Sequence, residues 1–124
     1  MDRIFFAIGC LSGFLGVGLG AFGAHALKTR LDTEMLAVFE VGVRYQMYHA
    51  LAILAVAAAM TRLDGPLIKS AGWLFSAGIV LFSGSLYLLA LTGVTIIGVM
   101  TPIGGLAFLA GWALVAWSTF HRSE

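Results

Sequence analysis

Four long apolar runs, separated by short segments that hold nearly all the charge, constrain this chain more than any other feature. The first, IFFAIGCLSGFLGVGLGAFGA, extends from Ile4 to Ala24 without a charged residue. Crossing about 30 Å of hydrocarbon takes about 20 helical residues, so this run alone is long enough. The second begins near Tyr45 and reaches Met60, the third covers about 67–91, and the fourth about 102–120. In 124 residues, four such runs leave no room for a water-soluble domain. Composition agrees, because only 10% of residues are charged. A soluble domain carries about 25%, and the mean hydropathy here is +1.00. The expectation is an all-α chain: one transmembrane domain over 1–124, an integral membrane four-helix bundle with an amphipathic helical extension before helix two.

The segments between the runs are punctuated as helix ends should be. Asp64-Gly65-Pro66 reads as a turn, with Pro66 opening the third helix. Thr101-Pro102 reads as an N-cap followed by proline at the first helical position. Thr92-Gly93 is a stop for helix three. The uncharged connector VTIIGVM, 94–100, is expected to lie in the interface or against the bundle. In the first loop Asp32 can cap a helix starting at Thr33, and Leu36, Phe39, Val43 and Met47 then recur at helical spacing. From Thr33 to Met60 such a helix would be roughly 42 Å long, more than the hydrocarbon needs. Its first part is therefore expected to project, or to lie along the surface as an amphipathic segment.

Lysine and arginine placement sets orientation. With four spans, Arg3, Arg62, Lys69 and Arg122 share one side, against Lys28, Arg30 and Arg44 on the other. This bias puts both termini in the cytoplasm. It also places Trp73 and Trp117 near the cytoplasmic interface, and Tyr45, Tyr48 and Tyr87 nearer the outer one. Ala24-His25-Ala26 resembles a signal-peptidase site, but the preceding run is longer than a signal core, so the first helix is expected to be retained.

The first span carries Gly9, Gly13, Gly16, Gly20 and Gly23, spaced four, three, four and three apart. In lipid, helices gain little from hydrophobicity against one another, and small residues allow close backbone contact. The five glycines are therefore expected to form a packing face, toward a helix of the same chain or toward a second copy. Cys10 is the only cysteine, so no internal disulfide forms, and it reads as a small hydrophobe.

Polar residues concentrate in the stretch RYQMYHAL, 44–51. Glu40, Arg44 and Tyr48 are successive fours and share one helix face, acid before base. His49 lies on a different face, and His25 ends the first span. A proton or ion pathway would need such groups around a cavity. A metal site would need three or four ligands, and no short ligand spacing supports one. A haem held by His25 and His49 would need both at one depth. The plainer expectation is a boundary, with Arg44 reaching out to headgroups, Tyr45 and Tyr48 anchoring there, and the histidines bonding loop carbonyls. The alternative is a polar network of Glu40, Arg44, Tyr48, His49 and His25 that fixes helices one and two. No nucleophile–base pair, phosphate loop or carboxylate pair is present, and Gly16-Val17-Gly18 lies inside an apolar run, the wrong context for a dinucleotide fingerprint. No catalysis, cofactor or metal is expected. The net charge of +1, with no basic block, gives nothing to neutralise nucleic-acid phosphates. The expected partners are the lipid bilayer and either a second copy or another membrane protein.

Four blocks, GAFGAHALK (20–28), VGVRYQMYHALAI (41–53), LFSGSLYLLALTG (81–93) and TPIGGLAFLAGW (101–112), closely resemble the YgdD-like family. These are small four-helix bacterial membrane proteins of unknown function, with relatives in mitochondria-bearing cells. The resemblance covers nearly the whole chain. It implies an inner-membrane protein and makes the polar stretch at 40–49 a family trait, but carries over no catalytic or binding residue.

Overall fold

The computed structural model describes residues 1–121, so Arg122, counted above for orientation, lies outside the described residues. Every regular element among them is helical. Helix α1 runs Asp2–His25, followed by a 3₁₀ turn at Leu27–Thr29, and α2 runs Thr33–Ala59. Helix α3, Pro66–Gly78, continues through a π-helical turn, Ile79–Ser83, into α4, Gly84–Thr92, so that 66–92 forms one uninterrupted rod. A 3₁₀ segment, Thr95–Val99, leads directly into α5, Met100–Ser118. Three of these units are long and apolar enough to cross a membrane: Asp2–Thr29, Pro66–Thr92 and Thr95–Ser118. Helix α2 is absent from that set, because its central turns carry Arg44, Gln46 and His49.

The helix ends follow from local chemistry. The Asp32 carboxylate accepts the Met35 backbone N–H at 2.7 Å, satisfying one of the orphan donors of the first turn of α2. Pro66 occupies the first turn of α3, behind Gly65 at φ +145°. Gly93, at φ +71°, closes α4 in the left-handed conformation that glycine adopts without steric cost. The start of α5 departs from the sequence reading. The 3₁₀ segment feeds the helix from Met100, so Thr101 is helical and not a cap. Pro102 is still in the first turn, where its missing N–H costs nothing. Freed from capping, the Thr101 hydroxyl meets that of Ser85 at 2.6 Å.

Helix α2 is the centre of the molecule. It buries nine residues, including Phe39, Gly42, Gln46, His49, Ile53 and Val56. The other rods carry their bulk outward, with Phe14 of α1 77% exposed and Leu106 and Leu109 of α5 also bare. The expected surface extension of α2 does not exist as a separate segment. Phe39 is fully buried against Leu27 and Ala90, with Leu19, Leu36, Val43 and Tyr87 packed around them. The chain after α1 folds back over this end, giving the first turns of α2 an apolar surface to bury. A second, larger core at the opposite end joins Phe5, Ile53, Val56, Ile68, Phe75 and Phe108.

Contact along α1 is made by glycine. A Cβ placed on Gly9 would come within 2.7 Å of the Leu54 side chain and 3.0 Å of the Ala50 carbonyl. On Gly16 it would stand 2.5 Å from Met47 Sδ, on Gly23 2.9 Å from the Phe39 ring, and on Gly20 3.3 Å from Val43. Gly13 differs, since a Cβ there meets nothing within 4 Å. It sits to one side of the α2-facing line and borders an open groove with Cys10, Phe14, Leu51 and Leu54. The same device recurs between the 66–92 rod and α5. A Cβ on Gly104 would fall on the backbone of Phe82, and one on Gly111 would come within 2.6 Å of the Phe75 ring.

Candidate functional site

Helical phase divides the polar residues of α2 into two sets. Positions 40, 44, 48, 51 and 55 point outward and all are exposed, so Glu40, Arg44 and Tyr48 face away from the bundle. Positions 39, 42, 46, 49, 53 and 56 point inward and all are buried. Two of these, Gln46 and His49, carry polar side chains into the interior. Gln46 stands midway between Thr33 and Ala59, so the stretch 44–49 lies at mid-height of the bundle, between its two apolar cores. The expectation that this stretch marks the mouth of a helix is thereby corrected. It arose because the apolar run was counted from Tyr45; the helix itself begins at Thr33, as the Asp32 cap and the spacing of Leu36, Phe39, Val43 and Met47 predict.

Gln46 uses both ends of its amide. Its Nε2 donates to the Ser12 carbonyl of α1 at 2.8 Å, and its Oε1 accepts the Tyr87 hydroxyl of α4 at 2.6 Å. The first bond depends on the glycine seam: with no side chain on Gly16, α2 lies near enough for the amide to reach a main-chain oxygen, whose second lone pair is open. One turn along, the fully buried Ser83 of the π turn donates its hydroxyl to the Gly42 carbonyl at 2.7 Å. A Cβ on Gly42 would come within 2.7 Å of the Tyr87 ring, so glycine is what admits the tyrosine.

His49 completes the belt toward α5. Its Nδ1 lies 2.7 Å from the Tyr45 carbonyl, and its Nε2 lies 3.1 Å from Trp112 Nε1. An indole nitrogen only donates and a carbonyl only accepts. These two contacts require the neutral ring with its proton on Nδ1. The imidazole stacks on Phe108 with centroids 3.5 Å apart and planes 8° from parallel, and Phe75 closes its other side at 5.5 Å. The belt therefore ties α1, the 66–92 rod and α5 to α2. Among the described residues no buried side-chain polar atom lacks a partner.

The sequence-selected candidates separate accordingly. Of Glu40, Arg44, Tyr48, His49 and His25, only His49 is buried. Among the described residues Glu40 and Arg44 make no ion pair within 4 Å, whereas Met1–Asp2 and Lys69–Asp64 do. His25 and His49 do not share a depth. The antiparallel register set by Gly16 on Met47 and Gly23 on Phe39 puts them about three turns, roughly 16 Å, apart along the bundle axis. A ligand bridging both is excluded by that separation, and both His49 nitrogens are already engaged. Among the described residues no group of three or more His, Cys, Asp or Glu could hold a metal. Gln46, Ser83, Tyr87 and Trp112 were not among the candidates. The phase of α2 contained the signal for Gln46, which lies four residues after Gly42 and seven before Ile53 on the inward line.

Comparison with known proteins gives a consistent result. Residues 19–105 match the family described as Protein of unknown function (DUF423). The chain is 46% identical to the UPF0382 membrane protein YwdK of Bacillus subtilis, over 91% of this chain and 93% of the relative. It is 47% identical to the UPF0382 membrane protein SH2409 of Staphylococcus haemolyticus, over 95% of this chain and 96% of the relative. No solved structure matches it. With the all-helical fold and three apolar helices of membrane length, these matches identify a multi-pass membrane protein, and the chain belongs to the DUF423, or UPF0382, family of membrane proteins of unknown function.

Proposed function

We propose that this chain is a non-catalytic integral four-helix bundle of the bacterial inner membrane, of the YgdD-like kind, that works by docking another membrane protein against the outer face of α2. One observation carries the reading: the buried polar groups are all satisfied internally, whereas Glu40, Arg44 and Tyr48 stand unpaired on one exposed line. Polar side chains on a lipid-facing helix are costly unless they find partners or water. A second copy fits this line best, because acid and base one turn apart are self-complementary. A two-fold axis beside α2 brings each Glu40 toward the Arg44 of the other chain.

Charge exchange tests this. Arg44→Glu and Glu40→Arg chains should each lose self-association in vesicles, measured by energy transfer between labelled copies, while a mixture of the two should recover it. Association that ignores both substitutions, or a mixture that fails to recover, removes the docking reading.

Both termini are assigned to the cytoplasm from Arg3, Arg62 and Lys69 at one end of the bundle against Lys28 and Arg30 at the other, Arg44 at mid-height not entering the count. A reporter fused at the C-terminus should be active only as a cytoplasmic fusion; periplasmic activity would invert the bundle.

A further inference from the structure

The flank of α2 that faces α5 holds a groove beside the belt and the docking line, sharing His49 and Trp112 with the first and Tyr48 with the second. Its volume is about 710 Å³, and its walls are rings: Tyr45, Tyr48, Phe82, Phe108 and Trp112, with His49 at the base. Gly105 lines the groove and leaves it room; a Cβ there would meet only the Phe82 ring, at 3.9 Å. Tyr45 adjoins Gln46, so the groove lies at mid-height of α2. Tyr45 is 37% and Tyr48 54% exposed. Of the three tyrosines only Tyr87 gives its hydroxyl to a partner, so the two that line this groove, Tyr45 and Tyr48, carry hydroxyl donors with no partner among the described residues. In hydrocarbon a hydroxyl without a partner is unfavourable, and no water replaces one.

We infer that this groove binds a flat, oxygen-bearing amphiphile dissolved in the bilayer, of the quinone class. The aromatic walls suit a planar ring, which packs on Phe82 and Phe108 in the offset or edge geometries such rings prefer. Ring oxygens accept from the Tyr45 and Tyr48 hydroxyls. The tail leaves between Leu106 and Leu109 of α5, which line the mouth. The His49 nitrogens take no part, since Tyr45 and Trp112 already hold them. A phospholipid headgroup fits poorly, because no lysine or arginine lines the groove.

The test uses the full chain in nanodiscs, with Trp73 and Trp117 replaced by phenylalanine so that Trp112 is the reporter. A decyl-tailed benzoquinone should quench Trp112 emission saturably. Gly105→Leu, which fills the groove, should abolish the saturable component. The pair Tyr45→Phe and Tyr48→Phe leaves the rings and the fold in place and should weaken binding about tenfold or more. Decylbenzene, flat but without oxygen, should not compete. Arg44→Glu, which breaks the docking line without changing any residue of the groove, should leave the affinity unchanged, so the two readings fail separately. Quenching that rises without saturation, that persists in Gly105→Leu, that ignores loss of both hydroxyls, or that decylbenzene competes away would overturn the inference.

Discussion

Helix α2 is held on two sides by opposite means. Toward α1 the contact is made by what is missing: Gly9, Gly16, Gly20 and Gly23 let side chains of α2 sit against bare backbone. Toward α4 and α5 it is made by directed groups, with Tyr87 on Gln46, Ser83 on the Gly42 carbonyl and Trp112 on His49. Lipid offers helices little hydrophobic drive to associate, so each side needs another source of attraction. A glycine seam supplies dispersion over a long line, but tolerates small slides and rotations. Hydrogen bonds of about 2.6–3.1 Å tolerate neither. The difference teaches a division of labour in which the seam supplies closeness and the belt supplies register.

The largest effect should come from forcing the seam apart. Gly9→Leu drives a side chain into Leu54 and the Ala50 carbonyl, which cannot move without the helix, and should cost about 3 kcal/mol by the usual scale of overpacking. Steric-trap unfolding in bicelles measures this directly, and a loss below about 1 kcal/mol would mean that the seam is loose.

Next comes the aromatic side. His49→Ala removes the ring stacked on Phe108 and leaves the Trp112 N–H unpaired, for a loss of about 2–3 kcal/mol. His49→Phe keeps a ring in the stack, so its cost should fall to about 1 kcal/mol, the scale of one unmade bond. Equal losses would place the whole contribution in the hydrogen bonds.

A smaller value is expected for the amide link. In a cycle of Gln46→Leu with Tyr87→Phe, the coupling should be about 0.6 kcal/mol, the average for hydrogen bonds between membrane helices, and no more than about 1.7 kcal/mol. No coupling would mean that each group finds another partner. At the small end stand two expected near-zeros. Glu40 and Arg44, both exposed and more than 4 Å apart, should couple by less than about 0.5 kcal/mol in nanodiscs holding one chain. Gly13→Leu enters open space and should change stability by less than about 0.5 kcal/mol.

Much of the fold was legible because membrane helices announce themselves by length. The runs at 4–24, 67–91 and 102–120 correspond to Asp2–His25, Pro66–Thr92 and Met100–Ser118. Asp32, Pro66 and Gly93 mark ends for reasons of local chemistry that need no tertiary context. The second helix was harder because hydropathy measures only one property. Arg44, Gln46 and His49 depress its apolar average at mid-height, so the run appears to start at Tyr45. Its first turns are moderately polar because one line of α2, with Glu40, Arg44 and Tyr48, is exposed on the outside of the bundle while the opposite line is buried. The site was missed for a related reason. Charge drew attention to the Glu40–Arg44–Tyr48 line, which faces out, while the uncharged amide of Gln46 and the hydroxyl of Ser83 do the joining inside. The π turn at Ile79–Ser83 has no residue signature in IVLFS, since it is set by packing against α2 and α5. Gly13 could not be told from its heptad neighbours until the facing side chains of α2 were known.

The central claim is that RYQMYH lies at mid-depth of the membrane and not at its surface. Depth can be read at position 48 by replacing Cys10 with serine, introducing Tyr48→Cys and attaching a nitroxide. Its collision rates with oxygen, which concentrates in hydrocarbon, and with a water-soluble nickel chelate then report depth, with labels at Arg30 and Thr61 marking the two surfaces. The account predicts high oxygen and very low nickel accessibility at position 48, deeper than either reference. Nickel accessibility matching that of Arg30 would put the stretch at the headgroups and contradict it.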